Sequence, residues 1–432
     1  MNTLFKNVFL ITMADGVAPI KDGCIFVRGD TIAYAGNPEG LPNTLHPNEV
    51  IDGKGNTVAM PGFINTHTHL PMTLFRGIAE DLPLQAWLED VIWPMEAKLD
   101  DEAVYWGTML AMAESIRAGV TTVNDQYFFC NAVVKAVRES GVRAILGRGL
   151  ADTALGGAEK LKEAIDLFNN YNGCENGRIQ ISMSPHAEYT NSLPFLKDIL
   201  EAVRKLNAPV HTHISETRYE HEECKKKYGM TPLALFDSLG YLEGTFMAAH
   251  CVWVEDADLA LIKQKNVGVL HNPGSNLKIG SGVAPIEKMR KMGITTGLGT
   301  DGAASNNNLS LWEEMALCAN VQKGVNLDPT ALPTEYALRM ATLGGAEAIG
   351  LQKATGTIEV GKKADIILID TDQPHYYPRA DMRKHIVYSG SAADVRLTMI
   401  DGRIVYRDGR YLTVDTEKLY HHINKTVKKL RS

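Results

Sequence analysis

The six cysteines of this 432-residue chain (Cys24, Cys130, Cys174, Cys224, Cys251 and Cys318) are scattered, and no two form a C-x-x-C pair. That spacing argues against a cysteine-built zinc centre and for reduced thiols in a cytoplasmic protein. Long apolar runs are also missing: no stretch approaches the ~20 residues that a membrane helix needs. The opening MNTLFKNVFLITMADG has too short an apolar run, with the wrong flanks, for a signal peptide. Positive charge is never concentrated. With a formal net charge of −7, Lys225-Lys226-Lys227 and the tail NKTVKKLRS read as solvated helix faces, which argues against a nucleic-acid partner. Internal repeats and low-complexity tracts are absent as well.

What remains is ordinary globular composition, 45% apolar and 22% charged. A body this size buries roughly 75% of its unfolded surface and needs no disulfide staples. Residues 1–60 read as short strands and tight turns, with Gly23, Gly29-Asp30 and Asp52-Gly53 punctuating alternating apolar residues. Residues 351–432 repeat this texture, with turns at Asp401-Gly402 and Asp408-Gly409, before a C-terminal helix. Two β-rich ends around a different middle predict one small β-sandwich domain built from both termini. The middle, 61–350, alternates short apolar strands with amphipathic helical stretches, such as the stripe Leu196, Ile199, Leu200 and Val203. Eight strands in alternation fit a (β/α)8 barrel of TIM type. An open doubly wound sheet is the runner-up, but no G-x-G-x-x-G turn follows the first strand. About 50 residues separate His69 from the next strand, long enough for a lid or substrate loop.

Histidine supplies the chemistry. In PGFINTHTH, His67 and His69 are spaced i, i+2, which in a helix would turn them about 200° apart. In a strand they emerge on one face, with Cα atoms about 6.6 Å apart, close enough to share a metal. The pattern continues at later strand ends: His186 in SPHAEY, His211 and His213 in HTHISE, His250 in AAHC, His271 in LHNPGSN and Asp301 in GLGTDGAASNN. Counting His221 more loosely, eight of the 13 histidines fall at or near these ends, where a barrel keeps its catalytic groups. Three imidazoles and a carboxylate suit one divalent metal, Zn2+ first, with Fe2+ also tolerated. The expected ligands are His67, His69, His213 and Asp301. Such a site keeps a position for water, whose pKa a metal can lower to about 7. His211 points the same way as His213 but one layer deeper, so packing or support of a ligand is its expected role. His221 reads as a solvated surface residue on the following helix, and His271 is divided between support of the mouth and plain hydrogen bonding. Glu216, three residues beyond His213, can reach over the metal and shuttle a proton. Asp301 can both touch the metal and accept the water's proton.

PGFINTHTH, HTHISET, GTDGAASNN and GTIEVGKKADIILID together resemble the metal-dependent amidohydrolase superfamily, and the resemblance covers nearly the whole chain. It implies the barrel-plus-sandwich fold. The fourth strand, IQISMSPHAEY, carries no lysine, so a one-metal deaminase site is implied rather than a bridged pair. More narrowly, NTHTHLPMTLFRGIAEDLPLQAWLEDVIWPMEAKL with SPHAEYT is similar to the 5-methylthioadenosine/S-adenosylhomocysteine deaminases. The resemblance implies that Glu96 holds the ribose hydroxyls, as a carboxylate facing two O–H donors can. It also implies that His186 contacts the nucleoside and that Arg148, in ILGRGL, is the substrate-side arginine. Trp87 and Trp93 are divided between walling the substrate pocket and packing the loop.

The reaction implied is hydrolytic deamination of an adenine nucleoside, methylthioadenosine or S-adenosylhomocysteine, to the inosine analogue and ammonia. Asp301 takes a proton from a metal-activated water, His250 hydrogen-bonds the attacking hydroxide, and Glu216 protonates a ring nitrogen. The alternatives are deamination of guanine or cytosine, dechlorination of an s-triazine, and a non-catalytic scaffold. The other zinc deaminase design, H-x-E followed by P-C-x-x-C, is absent. The expected partners are a small nucleoside and neither nucleic acid nor membrane, with a homo-oligomer allowed.

Overall fold

In the computed structural model, which describes residues 2–78, 80–82, 86–153 and 156–431, two sheets divide the chain. Eight parallel strands make the larger body: Phe63–Thr68, Val120–Tyr127, Arg143–Leu150, Ile179–Pro185, Val210–Ile214, Phe246–His250, Gly268–His271 and Thr296–Leu298. They pair in chain order, each beside the next. Nearly every residue of these strands is buried on either face, apolar side chains and polar ones such as Asn124, Ser182 and His211 alike. Inward side chains such as Ile64, Ile145, Met247, Ala249 and Leu270 fill the barrel, and Ala346, Ile349 and Leu351 extend that cluster.

The first and last strands meet through a side chain. Asn65 accepts the Thr300 N–H at 3.0 Å and donates to Thr300 Oγ1 at 2.8 Å. One residue on, the Asp301 N–H donates to the His67 carbonyl at 3.0 Å. Gly299 permits this closeness, because a Cβ there would stand 2.3 Å from Asn272 Oδ1 and 2.8 Å from the His67 nitrogen. The seam thus brings the first metal-ligand candidates and the last one to the same rim.

The second sheet is mixed and nine-stranded, and both chain ends build it. Thr57–Pro61 is the join: it lies parallel to Asn2–Leu10 and antiparallel to Ile366–Asp370. A separate core of Phe5, Val8, Leu10, Ile25, Val27, Ile366, Leu368, Leu397 and Met399 forms beneath it. At its junction with the barrel, Arg143 donates to both oxygens of Asp365 at 2.7 and 3.0 Å and to Asp401 at 3.2 Å. The helix Thr416–Arg431 leaves this sheet and lies on the barrel helix Asp101–Arg117, where His422 stacks on Trp106 at 4.1 Å. Between the first two barrel strands, the chain passes through a 3-10 segment, Leu70–Phe75, and a helical stretch spanning Trp87–Ile92 and Trp93–Glu96.

Candidate metal centre and nucleoside site

The extended Phe63–Thr68 strand puts His67 and, just past its end, His69 on the inner rim. His213 comes from the fifth strand and His250 from the sixth, while Asp301 follows the eighth. The ligand atoms of His67, His69 and His213 lie within 4.8 Å of one another, as do those of His67, His250 and Asp301. Nε2 of His69 is 3.4 Å from Nε2 of His213 and 3.3 Å from Asp301 Oδ1, which is 3.6 Å from His67 Nε2. About 3.4 Å is the edge between two donors of a tetrahedron whose centre lies about 2.1 Å from each.

The opposite ring nitrogens decide which lone pairs face that centre. His69 Nδ1 contacts the Gln126 carbonyl and His213 Nδ1 the His186 carbonyl, both at 2.6 Å. Only an N–H can bond a carbonyl, so both Nε2 atoms are bare acceptors aimed inward. His67 Nδ1 contacts His211 Nε2 at 2.8 Å, while His67 Nε2 is buried with no hydrogen-bond partner among the described residues. Lone pairs and a carboxylate oxygen crowded together without a proton between them repel unless a cation sits among them. The donor set fits a divalent ion.

Electrostatics point the same way. Burial pushes His67 down to about 3 against the pull of Asp301, and drives His213 well below the usual range, with His186 and His67 adding to the effect. Burial opposes ionisation of Asp301, but the neighbouring imidazoles of His67, His69 and His250 outweigh it and hold the carboxyl well below its ordinary range. Oδ2 of Asp301 accepts from Ser275 at 2.7 Å and Ser305 at 3.1 Å, which leaves Oδ1 to face the histidines. Asp301, His250 and Ser215 all adopt left-handed backbone, at φ +60°, +71° and +48°. Such residues cost about 1–3 kcal/mol each and persist where surrounding structure holds them.

Glu216 lies beside this cluster, its Oε2 3.8 Å from His250 Nε2. Burial raises its carboxyl, and the charge of Asp301 adds to the effect while His250 opposes it. His250 Nδ1 is held by Asn276 Oδ1 at 2.8 Å. The His186 ring lies tilted by 47° against that of His213, ring centres 4.6 Å apart. On the other side, Glu96 accepts the Tyr127 hydroxyl at 2.8 Å, and the Tyr127 ring is 6.4 Å from that of His69. Burial lifts the Glu96 carboxyl to about 7 despite that bond.

Arg148 stands apart from this group. It donates to Glu163 at 2.9 Å, lies over the Phe128 ring and is 12% exposed. On its strand, Ile145 points inward, so strand parity puts Arg148 on the helix-facing side. His211 is the deeper residue expected, supporting His67. His221 is on the expected helix, but not at the surface. It is buried, with Nδ1 3.1 Å from Ser215 Oγ and Nε2 3.2 Å from Glu255, because the helix turns that face toward the barrel. His271 is buried, and Nδ1 has no partner among the described residues. Trp87 is packed in the core, whereas Trp93 is 48% exposed.

Several contributors escape a reading by residue type: Tyr127, Ser275, Ser305, Asn276, and the carbonyls of Gln126 and His186. Glu220 is different, because Thr217-Arg218-Tyr219-Glu220 spells a capping box that is visible in the sequence.

Comparison with known proteins identifies the family. The amidohydrolase family profile matches residues 58–405. A 5-methylthioadenosine/S-adenosylhomocysteine deaminase of Dictyoglomus thermophilum is 46% identical over 376 residues, which is 87% of this chain and 88% of that protein. A 5'-deoxyadenosine deaminase of Methanocaldococcus jannaschii is also 46% identical, over 99% of this chain and 100% of its own. Among solved structures, a zinc-bound adenosine deaminase from Xanthomonas campestris superposes with a TM-score of 0.95 at 32% identity, covering 99% of this chain and 98% of that one. With its profile match, its full-length relatives and its barrel, this chain belongs to the amidohydrolase family.

Proposed function

We propose that this protein is a metal-dependent hydrolase that deaminates adenine nucleosides, 5'-methylthioadenosine or S-adenosylhomocysteine, to the inosine analogue and ammonia. The observation that carries this reading is that His67, His69 and His213 bring their ring nitrogens within 4.8 Å of one another, with Asp301 Oδ1 3.3 Å from His69 and 3.6 Å from His67 and with Glu216, His250 and Glu96 around them. Relatives 46% identical over 87% and 99% of this chain, named for 5-methylthioadenosine/S-adenosylhomocysteine and for 5'-deoxyadenosine, support the choice of an adenine nucleoside.

His67, His69, His213 and Asp301 would hold the ion, and Zn2+ suits their three nitrogens and one oxygen. Bound there, a divalent ion polarises water and lowers its pKa. Asp301 takes the proton from the attacking water, and hydroxide adds to C6 of the purine. His250, anchored by Asn276, hydrogen-bonds that hydroxide and steadies its charge. Glu216 enters as the protonated acid, consistent with its raised carboxyl, and gives its proton to a ring nitrogen. Asp301 then passes its proton to the departing amine, which leaves as ammonia. The hydroxyl on C6 returns a proton to Glu216 as the carbonyl forms. His186 contacts the nucleoside, and Glu96, oriented by Tyr127, accepts the two ribose hydroxyls. For Arg148, the ion pair with Glu163 supports a role outside the reacting atoms, on the barrel flank.

The six cysteines are free thiols, which supports a reducing cytoplasm, and no helix among the described residues is long and apolar enough to cross a membrane. The decisive experiment measures ammonia release from methylthioadenosine, S-adenosylhomocysteine, 5'-deoxyadenosine and adenosine, beside free adenine, guanine and cytosine, using metal-loaded protein. Nucleosides should turn over and free bases should not, since a base offers Glu96 no ribose. Turnover of guanine or cytosine in preference to every nucleoside would overturn the reading.

A further inference from the structure

The turn that carries Glu216 is held from behind. Glu220, buried in the first turn of the helix Arg218–Tyr228, accepts the backbone N–H groups of three consecutive residues. Ser215 donates at 2.9 Å to Oε1, and Glu216 and Thr217 donate at 2.8 and 3.4 Å to Oε2. Thr217 Oγ1 accepts the Glu220 N–H at 3.2 Å in return. Ser215 is one of the left-handed residues, so this clamp fixes a backbone that would otherwise relax.

A second carboxyl lies against the clamp. Glu188, from the loop after the fourth barrel strand, is 2% exposed and within hydrogen-bonding reach of the Glu220 side chain. Its Oε2 has no N–H or O–H to accept from among the described residues. Two buried carboxylates in contact cannot both be ionised, and three backbone donors favour the charge on Glu220. The proton therefore resides on Glu188, whose carboxyl is pushed up to about 9 by burial and then by the charge of Glu220. Facing the pair are Lys227, which opposes these effects only weakly, and the Cys224 thiol and Tyr189 hydroxyl, both raised by burial and by these carboxylates.

We propose that Glu188 is a positioning residue of this site: as a neutral acid it donates its O–H to Glu220, keeps Glu220 a carboxylate, and so fixes the 215–217 turn that aims Glu216. The proposal rests on the reading of Glu216 as the proton shuttle.

Metal-loaded Glu188→Gln and Glu188→Ala variants test it, because the glutamine amide still donates and alanine does not. Glu188→Gln should keep kcat within about threefold of the parent, while Glu188→Ala should lose about tenfold or more, as misplaced catalytic groups do. KM and metal content should stay near the parent values in both. Amide hydrogen exchange at 215–217 should quicken in Glu188→Ala and stay slow in Glu188→Gln. The parent's kcat should fall as pH rises through about 9, where Glu188 ionises beside Glu220, and Glu188→Gln should lack that fall. If Glu188→Gln is as impaired as Glu188→Ala, or if Glu188→Ala leaves exchange and kcat unchanged, the proposal is overturned. Should Glu188→Ala not fold, Glu188→Leu fills the space without a donor and is read the same way. Glu216→Gln serves as the control. If it retains full kcat, the shuttle reading fails, while the exchange rates still decide whether Glu188 holds the turn.

Discussion

The two ends of the barrel bury charge in opposite ways. At the end that meets the mixed sheet, Arg143 faces Asp365 and Asp401, and its three bonds to their oxygens run between opposite charges. Burial works against the guanidinium, yet the two carboxylates raise its pKa further, so the cluster is self-sufficient. At the mouth, His69 and His213 turn bare nitrogens, and His67 a nitrogen without a hydrogen-bond partner, toward one another and Asp301 Oδ1, and among the described residues no lysine or arginine pairs with Asp301. Both clusters are buried and both involve aspartate. One is complete as folded, whereas the other becomes complete only when an ion is added. Burial of charged groups therefore does not mark a functional site by itself; an excess of unshared lone pairs does.

Breaking the incomplete cluster should have the largest effect. His213→Ala removes an inward nitrogen and should leave protein that retains almost no metal by elemental analysis and almost no deaminase activity. Full metal occupancy in that variant would remove His213 from the ligand set. Glu216→Gln spares the ligands, so metal content should stay normal while kcat falls about 10²–10⁴-fold, the usual weight of a positioned acid. At the opposite end, Arg143→Ala strands the buried Asp365 carboxylate, while Asp401 keeps Lys363 at 3.4 Å. The substitution should lower unfolding stability by about 3–5 kcal/mol while the folded enzyme keeps its kcat, measured by denaturant titration beside steady-state kinetics. A change in kcat as large as the change in stability would show that the two ends are coupled.

The smallest and most selective effect concerns pH. Burial raises Glu96 to about 7, so below that value it carries a proton and is a poorer acceptor for ribose hydroxyls. KM for the nucleoside should fall as pH rises through about 7 and then level. Glu96→Gln should show a flat profile with KM about 10- to 100-fold higher, the weight of hydrogen bonds to a charged group. A pH-dependent KM in Glu96→Gln would assign the titration to another residue.

Much of this was readable from spacing. The i, i+2 histidines announce strand ends, and the alternation of strands and helices announces a barrel, because each pattern allows few structures. The seam through Asn65 and Thr300 was not readable, since a side chain replaces a backbone pairing there. The burial of His221 is not legible either, because helix membership alone does not say which face turns toward the barrel. Glu220 is accessible through its capping box, yet the pairing with Glu188 joins a helix and a loop whose residues are 32 positions apart in sequence, beyond the reach of local pattern. Likewise the carbonyls that orient His69 and His213 carry no signature in residue type.

The most direct test of the central claim is X-ray absorption at the metal edge of the zinc-loaded protein. A single ion in a shell of imidazole nitrogens and carboxylate oxygen, with an exchangeable oxygen beside them, is the predicted result. A thiolate shell, or a second metal about 3.5–4 Å away, would contradict it.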